Sequence, residues 1–162
     1  MMDEPTTERL IYLLRSHDPE ARVYAVQQLA ERSSDPVAHE ALYEASFKKD
    51  TRIRALTARA LPDAPDDRTL VRLVDLLADR NTGVRLAAAE ALRDMGDPKA
   101  NMPLIEALSD RNRWVVIAAM EGLKQIGGPS ARRPLRKMIG SKDQGISQAA
   151  RDALAAIEAR DE

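Results

Sequence analysis

Apolar and polar positions recur along this chain with a long period. Leu29, Leu61, Leu92, Leu123 and Leu154 are spaced by 32, 31, 31 and 31 residues, and nineteen residues before each stands another leucine: Leu10, Leu42, Leu73, Leu104 and Leu135. Two leucine columns thus run through five units, the mark of a stacked repeat. Eleven residues before the second leucine of each unit stand Asp18, Asp50, Asn81, Asn112 and Asp143. A short side-chain oxygen there accepts a hydrogen bond from a free N–H of a first helical turn, so a helix is predicted to start five times. Apolar or small residues follow at helical spacing, as in Val84, Ala87, Ala88, Ala91, Leu92 and Met95. Gly96 and Gly127 are placed to end their helices, and Asp35-Pro36 and Asp97-Pro98 to open the next ones.

Each unit is therefore helix, turn, helix, with units near 5–34, 35–65, 66–96, 97–127 and 128–160 of a single domain. No single hairpin can enclose its own apolar stripe, so the units must stack. Alanine at Ala87/Ala88, Ala118/Ala119 and Ala149/Ala150 lets helices approach closely. Aromatic residues make up only 3% of the chain, which favours close-packed helices over sheets that need bulky β-formers. The expected class is all-α.

Residues Asn81 to Leu108, NTGVRLAAAEALRDMGDPKANMPLIEAL, resemble HEAT repeats of the short type named after phycobilisome lyases, in which an Asp or Asn cap is followed by Val-Arg, Ala, Ala-Leu, Gly-Asp-Pro and Pro-Leu. The resemblance covers about the whole chain. It implies a right-handed α-solenoid of five HEAT-like hairpins, with second helices lining a concave face. The arginine column is held by Arg22, Arg54 and Arg85 and broken by Val116 and Ser147; it is expected to tie neighbouring units together. Pro103 and Pro134 match the family's first-helix proline, expected to bend that helix. In the second unit, Pro62 and the following acidic turn predict a short second helix.

The chain's only tryptophan opens the helix after Asn112. At 100° per residue, Val115, Ala118, Ala119, Gly122, Leu123 and Ile126 fall on one side of that helix, and Trp114, Ile117, Met120, Glu121 and Lys124 on the other. The equivalents of Ile117 are Val23, Ala55, Leu86 and Gln148, an apolar ridge across four units. Such a ridge is either packing between repeats or a contact surface. Tryptophan and arginine are enriched in binding hot spots. The candidate partner-binding residues are Trp114 and Ile117, with Leu86, Val116 and Met120 around them. Arg113, Glu121, Lys124, Arg93 and Glu90 are expected as a polar rim. The expected function is a non-enzymatic adaptor holding a protein or peptide segment on its concave face; self-association through the ridge is the alternative use.

Catalytic chemistry finds little material. Only His17 and His39 are present. His39-Glu40 resembles the His-Glu pairs of the deoxyhypusine hydroxylase branch of HEAT proteins, but one pair on a first helix does not make their di-iron centre, and a solvated surface pair is expected. Asp63, Asp66 and Asp67 lack the spacing of a calcium loop and read as a solvated turn. No phosphate loop or nucleophile triad is legible, and no cofactor or metal is expected. The resemblance leaves one enzymatic alternative: an accessory subunit of a phycobilin-lyase-like enzyme, handling a chromophore in the same groove.

With 25 basic and 26 acidic residues the formal charge is −1, so no global field recruits nucleic acid or an anionic membrane. One basic stretch, with Arg132, Arg133, Arg136, Lys137 and Lys142, belongs to a first helix on the expected convex side. It reads as a solvated end face, with nucleic-acid binding through this stretch as the alternative use. Cysteine is absent, the N-terminus is acidic, and no apolar run reaches the roughly 20 residues of a membrane span. A cytoplasmic location is expected.

Overall fold

The computed structural model describes residues 4–63 and 66–160. Among these, ten α-helices follow one another as five hairpins. They are α1 (Thr7–Leu13) with α2 (Pro19–Ala30), α3 (Pro36–Ala45) with α4 (Thr51–Ala60), α5 (Asp67–Leu76) with α6 (Thr82–Met95), α7 (Asn101–Ala107) with α8 (Arg113–Ile126), and α9 (Pro129–Met138) with α10 (Gln144–Ala159). Short 3-10 turns at Leu61–Asp63 and Pro98–Ala100 adjust two of the joints. All five second helices start where the Asp/Asn column predicts: Asp18, Asp50, Asn81, Asn112 and Asp143 each accept from backbone N–H groups of the first turn. Such a cap contributes about 1 kcal/mol. Helix α6 ends on Gly96 at φ 64°, a left-handed conformation that a Cβ would strain.

Both leucine columns lie in the core. Leu10, Leu42, Leu73, Leu104 and Leu135 are fully buried, as are Leu29, Leu61, Leu92 and Leu123, with Leu154 nearly so. Each such side chain contributes roughly 1.5–3 kcal/mol of apolar burial before entropy is set against it. Small residues let the helices meet. A Cβ on Gly122 in α8 would stand 2.7 Å from Leu104 Cδ1 of α7 and 3.6 Å from the Cα of Arg93 in α6. Successive second helices pack along one another from α2 to α10, whereas successive first helices touch little. The second-helix side of the stack is therefore the tighter one.

The prolines behave differently from each other. Pro134 lies inside α9, but Pro103 falls in the first turn of α7, because the 3-10 turn at Pro98–Ala100 precedes it. First-turn N–H groups have no intrahelical acceptor, so the ring costs no bond there and the expected reason for a bend is absent. Helix α4 is short, as predicted, and closes on the Leu61–Asp63 turn.

An arginine ladder sets the register between units. Arg22 donates to Asp50 (3.0 Å) and to the carbonyls of Ser16 and His17. Arg54 grips both oxygens of Asp79 (2.8 and 3.0 Å) and the carbonyls of Lys48 and Lys49. Arg85 does the same with Asp110 (2.7 and 3.1 Å) and the carbonyls of Asp79 and Arg80. One guanidinium thus ties down the turn of its own hairpin and reaches a carboxylate of the next unit. At Asp110, burial is the largest influence and acts upward. The Arg85 bond, the Asn112 N–H and the charges of Arg85 and Arg111 together outweigh it and hold the carboxyl below the usual carboxylate range. Asp50 is held low mainly by its hydrogen bond from Arg22. Where Val116 interrupts the column, Arg113 crosses instead to Asp143 (3.1 Å). Ser147 turns inward, its hydroxyl donating to the Ile139 carbonyl at 2.6 Å.

Candidate functional site

Helix α8 is packed on three sides, by α7, α6 and α10, which leaves a narrow wet strip. Trp114, Glu121, Lys124 and Gln125 are exposed on it and Ile117 is half-buried. Trp114 is 55% exposed, its backbone N–H held by Asn112 Oδ1 at 2.9 Å. The Arg113 guanidinium lies 4.7 Å from the centre of the indole while paired with Asp143, so the ring is propped from one side and open on the other. Cation–aromatic contacts at exposed sites contribute about 0.5–1 kcal/mol. Gly145 at the start of α10 permits this arrangement. A Cβ there would stand 2.8 Å from an Arg113 guanidinium nitrogen and 3.5 Å from Ile117 Cδ1.

Not every predicted neighbour reaches the surface. Met120 is fully buried and Val116 nearly so, both within the main core. This corrects the helical-wheel reading, because a wheel has two sides whereas a solenoid helix is covered along both flanks as well as its back. The ridge equivalents grade from buried Val23 through half-buried Ala55, Leu86 and Ile117 to exposed Gln148. Leu86 packs against a small separate cluster of Ala89, Val115 and Ala118. The ridge is therefore in large part contact between repeats, and exposed aromatic surface adjoins it at Trp114 in α8 and at Tyr24 in α2.

The predicted rim residues are charged and accessible, but mostly engaged in ion pairs. Arg93 bonds Glu121 across units at 2.8 Å and Asp94 beside it at 2.9 Å. Glu90 pairs with Arg59 at 3.2 Å. Exposed pairs of this kind contribute at most about 1 kcal/mol, so a partner can exchange them cheaply. Arg93, Glu121, Lys124, Gln125 and Ala156 surround a shallow hollow of about 490 Å³ on the same face.

Other parts of the molecule carry features that sequence reasoning missed. An apolar cleft of about 550 Å³ lies between first helices α1 and α3, floored by Ile11, Leu14, Ala41 and Ala45 and bordered by Arg15, Lys48, Glu40 and Glu44. Its signal was the run Leu10-Ile11-Tyr12-Leu13-Leu14, which holds more apolar residues than one helix face can bury. His39 is not the solvated residue expected. Its Nε2 lies 3.2 Å from Thr69 Oγ1 of the next unit and its Nδ1 is buried, so it belongs to the joint between α3 and α5. Asp63 accepts from Ser33 (2.6 Å), Asp66 caps α5, and Asp67 pairs with Lys99. No group of three or more possible metal ligands occurs among the described residues. No helix among them is long and apolar enough to cross a membrane.

A family model for HEAT repeats matches residues 7–93 and again 70–155. The chain belongs to the HEAT-repeat family. No curated protein matches it by sequence. Among solved structures it is similar to the complex of CpcE and CpcF of phycocyanin lyase from Nostoc sp. PCC7120, at 23% identity and a TM-score of 0.81 over 96% of this chain and 66% of that one. It spans just under two thirds of that longer chain. A designed armadillo repeat protein in complex with the peptide (KR)4 matches at 18% identity and a TM-score of 0.71, covering 93% of this chain and 81% of that one. An engineered protein matches at 24% identity and a TM-score of 0.73, covering 95% and 81%. At these identities the likeness establishes an α-solenoid of helical repeats, a fold that hosts many functions.

Proposed function

We propose that this HEAT-repeat protein is a non-enzymatic scaffold that holds a protein segment on its second-helix face, anchored at Trp114. The observation that carries the reading is the indole itself. It is more than half exposed at the start of α8, fixed in place by Arg113 and beside half-buried Ile117. A rigid, amphipathic ring held in one orientation loses little entropy on binding, which is why such residues dominate interface energetics. The tighter spacing of the second helices bends a stack toward them, which supports taking their face as the hollow side. Arg93, Glu90, Glu121, Lys124 and Arg113 form the polar border, with Leu86 at its apolar end. Val116 and Met120 support the helix from within and are not contact residues.

The structural likeness to a phycocyanin lyase complex motivates a second reading, in which the same face handles a bilin. A half-exposed indole at a helix start better suits a partner that brings its own groove. The deciding experiment is co-purification from the native cell with the intact protein and Trp114→Ala side by side. Loss of a specific protein with the variant, at an affinity cost above about 2 kcal/mol or roughly 30-fold, is expected. Unchanged recovery would refute the anchor. Visible absorbance acquired on mixing with free bilin would favour the chromophore reading.

A further inference from the structure

The residue just before each second-helix cap forms a further column: His17, Lys49, Arg80, Arg111 and Lys142, again spaced by 32, 31, 31 and 31. All five are exposed. Among the described residues none of them makes an ion pair or a side-chain hydrogen bond, Arg111 acting on Asp110 only through space. The neighbouring carboxylates are occupied. Asp50 is held by Arg22, Asp79 by Arg54, Asp110 by Arg85 and Asp143 by Arg113. What remains along this edge is a row of uncompensated positive charge on Lys49, Arg80, Arg111 and Lys142, with His17 at its first position. Glu44, Asp75 and Glu106 stand five residues earlier, on the first helices. The first three positions of the row are also fixed, because the arginine ladder bonds their backbone. Arg22 donates to the carbonyl of His17 (3.1 Å), Arg54 to that of Lys49 (2.8 Å) and Arg85 to that of Arg80 (3.3 Å).

We propose that this edge is a docking track for an extended acidic protein segment with a carboxylate at about every third residue. The proposal rests on the scaffold reading but not on Trp114, which stands beside the track three residues after Arg111. The spacing selects the ligand. Packed helices lie about 8–10 Å apart, so the cations recur at about that interval, and three residues of extended chain cover about 10 Å. Duplex DNA carries a charge about every 1.7 Å, several times denser than the row, and the chain's formal charge of −1 adds no wider attraction for a polyanion. Evenly spaced carboxylates match the row one to one.

The test is fluorescence anisotropy with a labelled peptide of five Asp-Ser-Thr triplets. Controls are an isomer with its five aspartates contiguous and a single-stranded oligonucleotide of similar length. The spaced peptide is expected to bind the intact protein in a salt-sensitive manner. Arg80→Gln with Arg111→Gln should lose about tenfold or more in affinity at an unchanged melting temperature. Absent binding, undiminished binding to the double variant, or tighter binding of the contiguous isomer or the oligonucleotide overturns the track. Trp114→Ala reports separately. Peptide binding kept by Trp114→Ala and lost by the double variant upholds the track even if native co-purification discards the anchor.

Discussion

Replacing Arg85 by valine probes the contact that sets one repeat against the next. The Arg85 and Asp110 side chains are only 7% and 10% exposed. Arg85→Val leaves the Asp110 carboxylate with the Asn112 N–H (2.7 Å) as its remaining donor, and strips the carbonyls of Asp79 and Arg80 of their guanidinium partner. Breaking a buried pair on one side costs about 3–5 kcal/mol. The protein itself contains the compensated alternative: one unit later, Val116 and Ser141 stand where Arg85 and Asp110 stand here. Arg85→Val combined with Asp110→Ser copies that joint and removes both charges, and replacing a whole buried pair is often nearly neutral. The double variant should therefore recover more than about 2 kcal/mol relative to the sum of the single losses, an interaction energy within the range for touching residues. Urea unfolding followed by far-UV circular dichroism measures it, with the slope checked for loss of cooperativity between repeats. A single-variant loss below about 1 kcal/mol, or a double variant equal to the sum of the singles, would refute the ladder as the register device.

Acid should loosen the ladder. The folded-state pKa values of Asp50, Asp79 and Asp110 lie below the ordinary value, so their contribution is full above the unfolded pKa of about 3.9 and is lost as pH falls through the folded values. Melting curves between neutral pH and pH 3 should show this decline, shallower in Arg85→Val/Asp110→Ser than in the intact protein. Met120→Ala should cost about 2–5 kcal/mol for a fully buried side chain, whereas Trp114→Ala should cost no more than about 1 kcal/mol; equal losses in chemical denaturation would contradict their assigned places. Gly127→Ala brings a Cβ 2.8 Å from Ile157 Cδ1 and against the Leu123 carbonyl and should cost about 1–3 kcal/mol. Gly128→Ala, with nothing within 4 Å, should leave the melting temperature nearly unchanged.

The repeat, its helices and their caps were legible in the sequence because each rests on local rules. Asp18, Asp50, Asn81, Asn112 and Asp143 satisfy N–H groups two or three residues away, and two leucines nineteen residues apart must share a core if a hairpin is to fold. The role of Arg22, Arg54 and Arg85 was legible too, since a charge recurring at the rim of a buried stripe needs a recurring partner. Met120, Val116, His39 and the cleft between α1 and α3 were not. Whether a side chain on a solenoid helix is wet depends on two neighbouring units as well as on its own helix, and a periodic pattern carries no record of how closely those neighbours approach. The same holds for charge. Arg54 and Arg80 are equally basic residues in the chain, but stacking brings Asp79 to the first and no carboxylate within ion-pair range of the second, and that difference arises only when units 31 residues apart become neighbours in space.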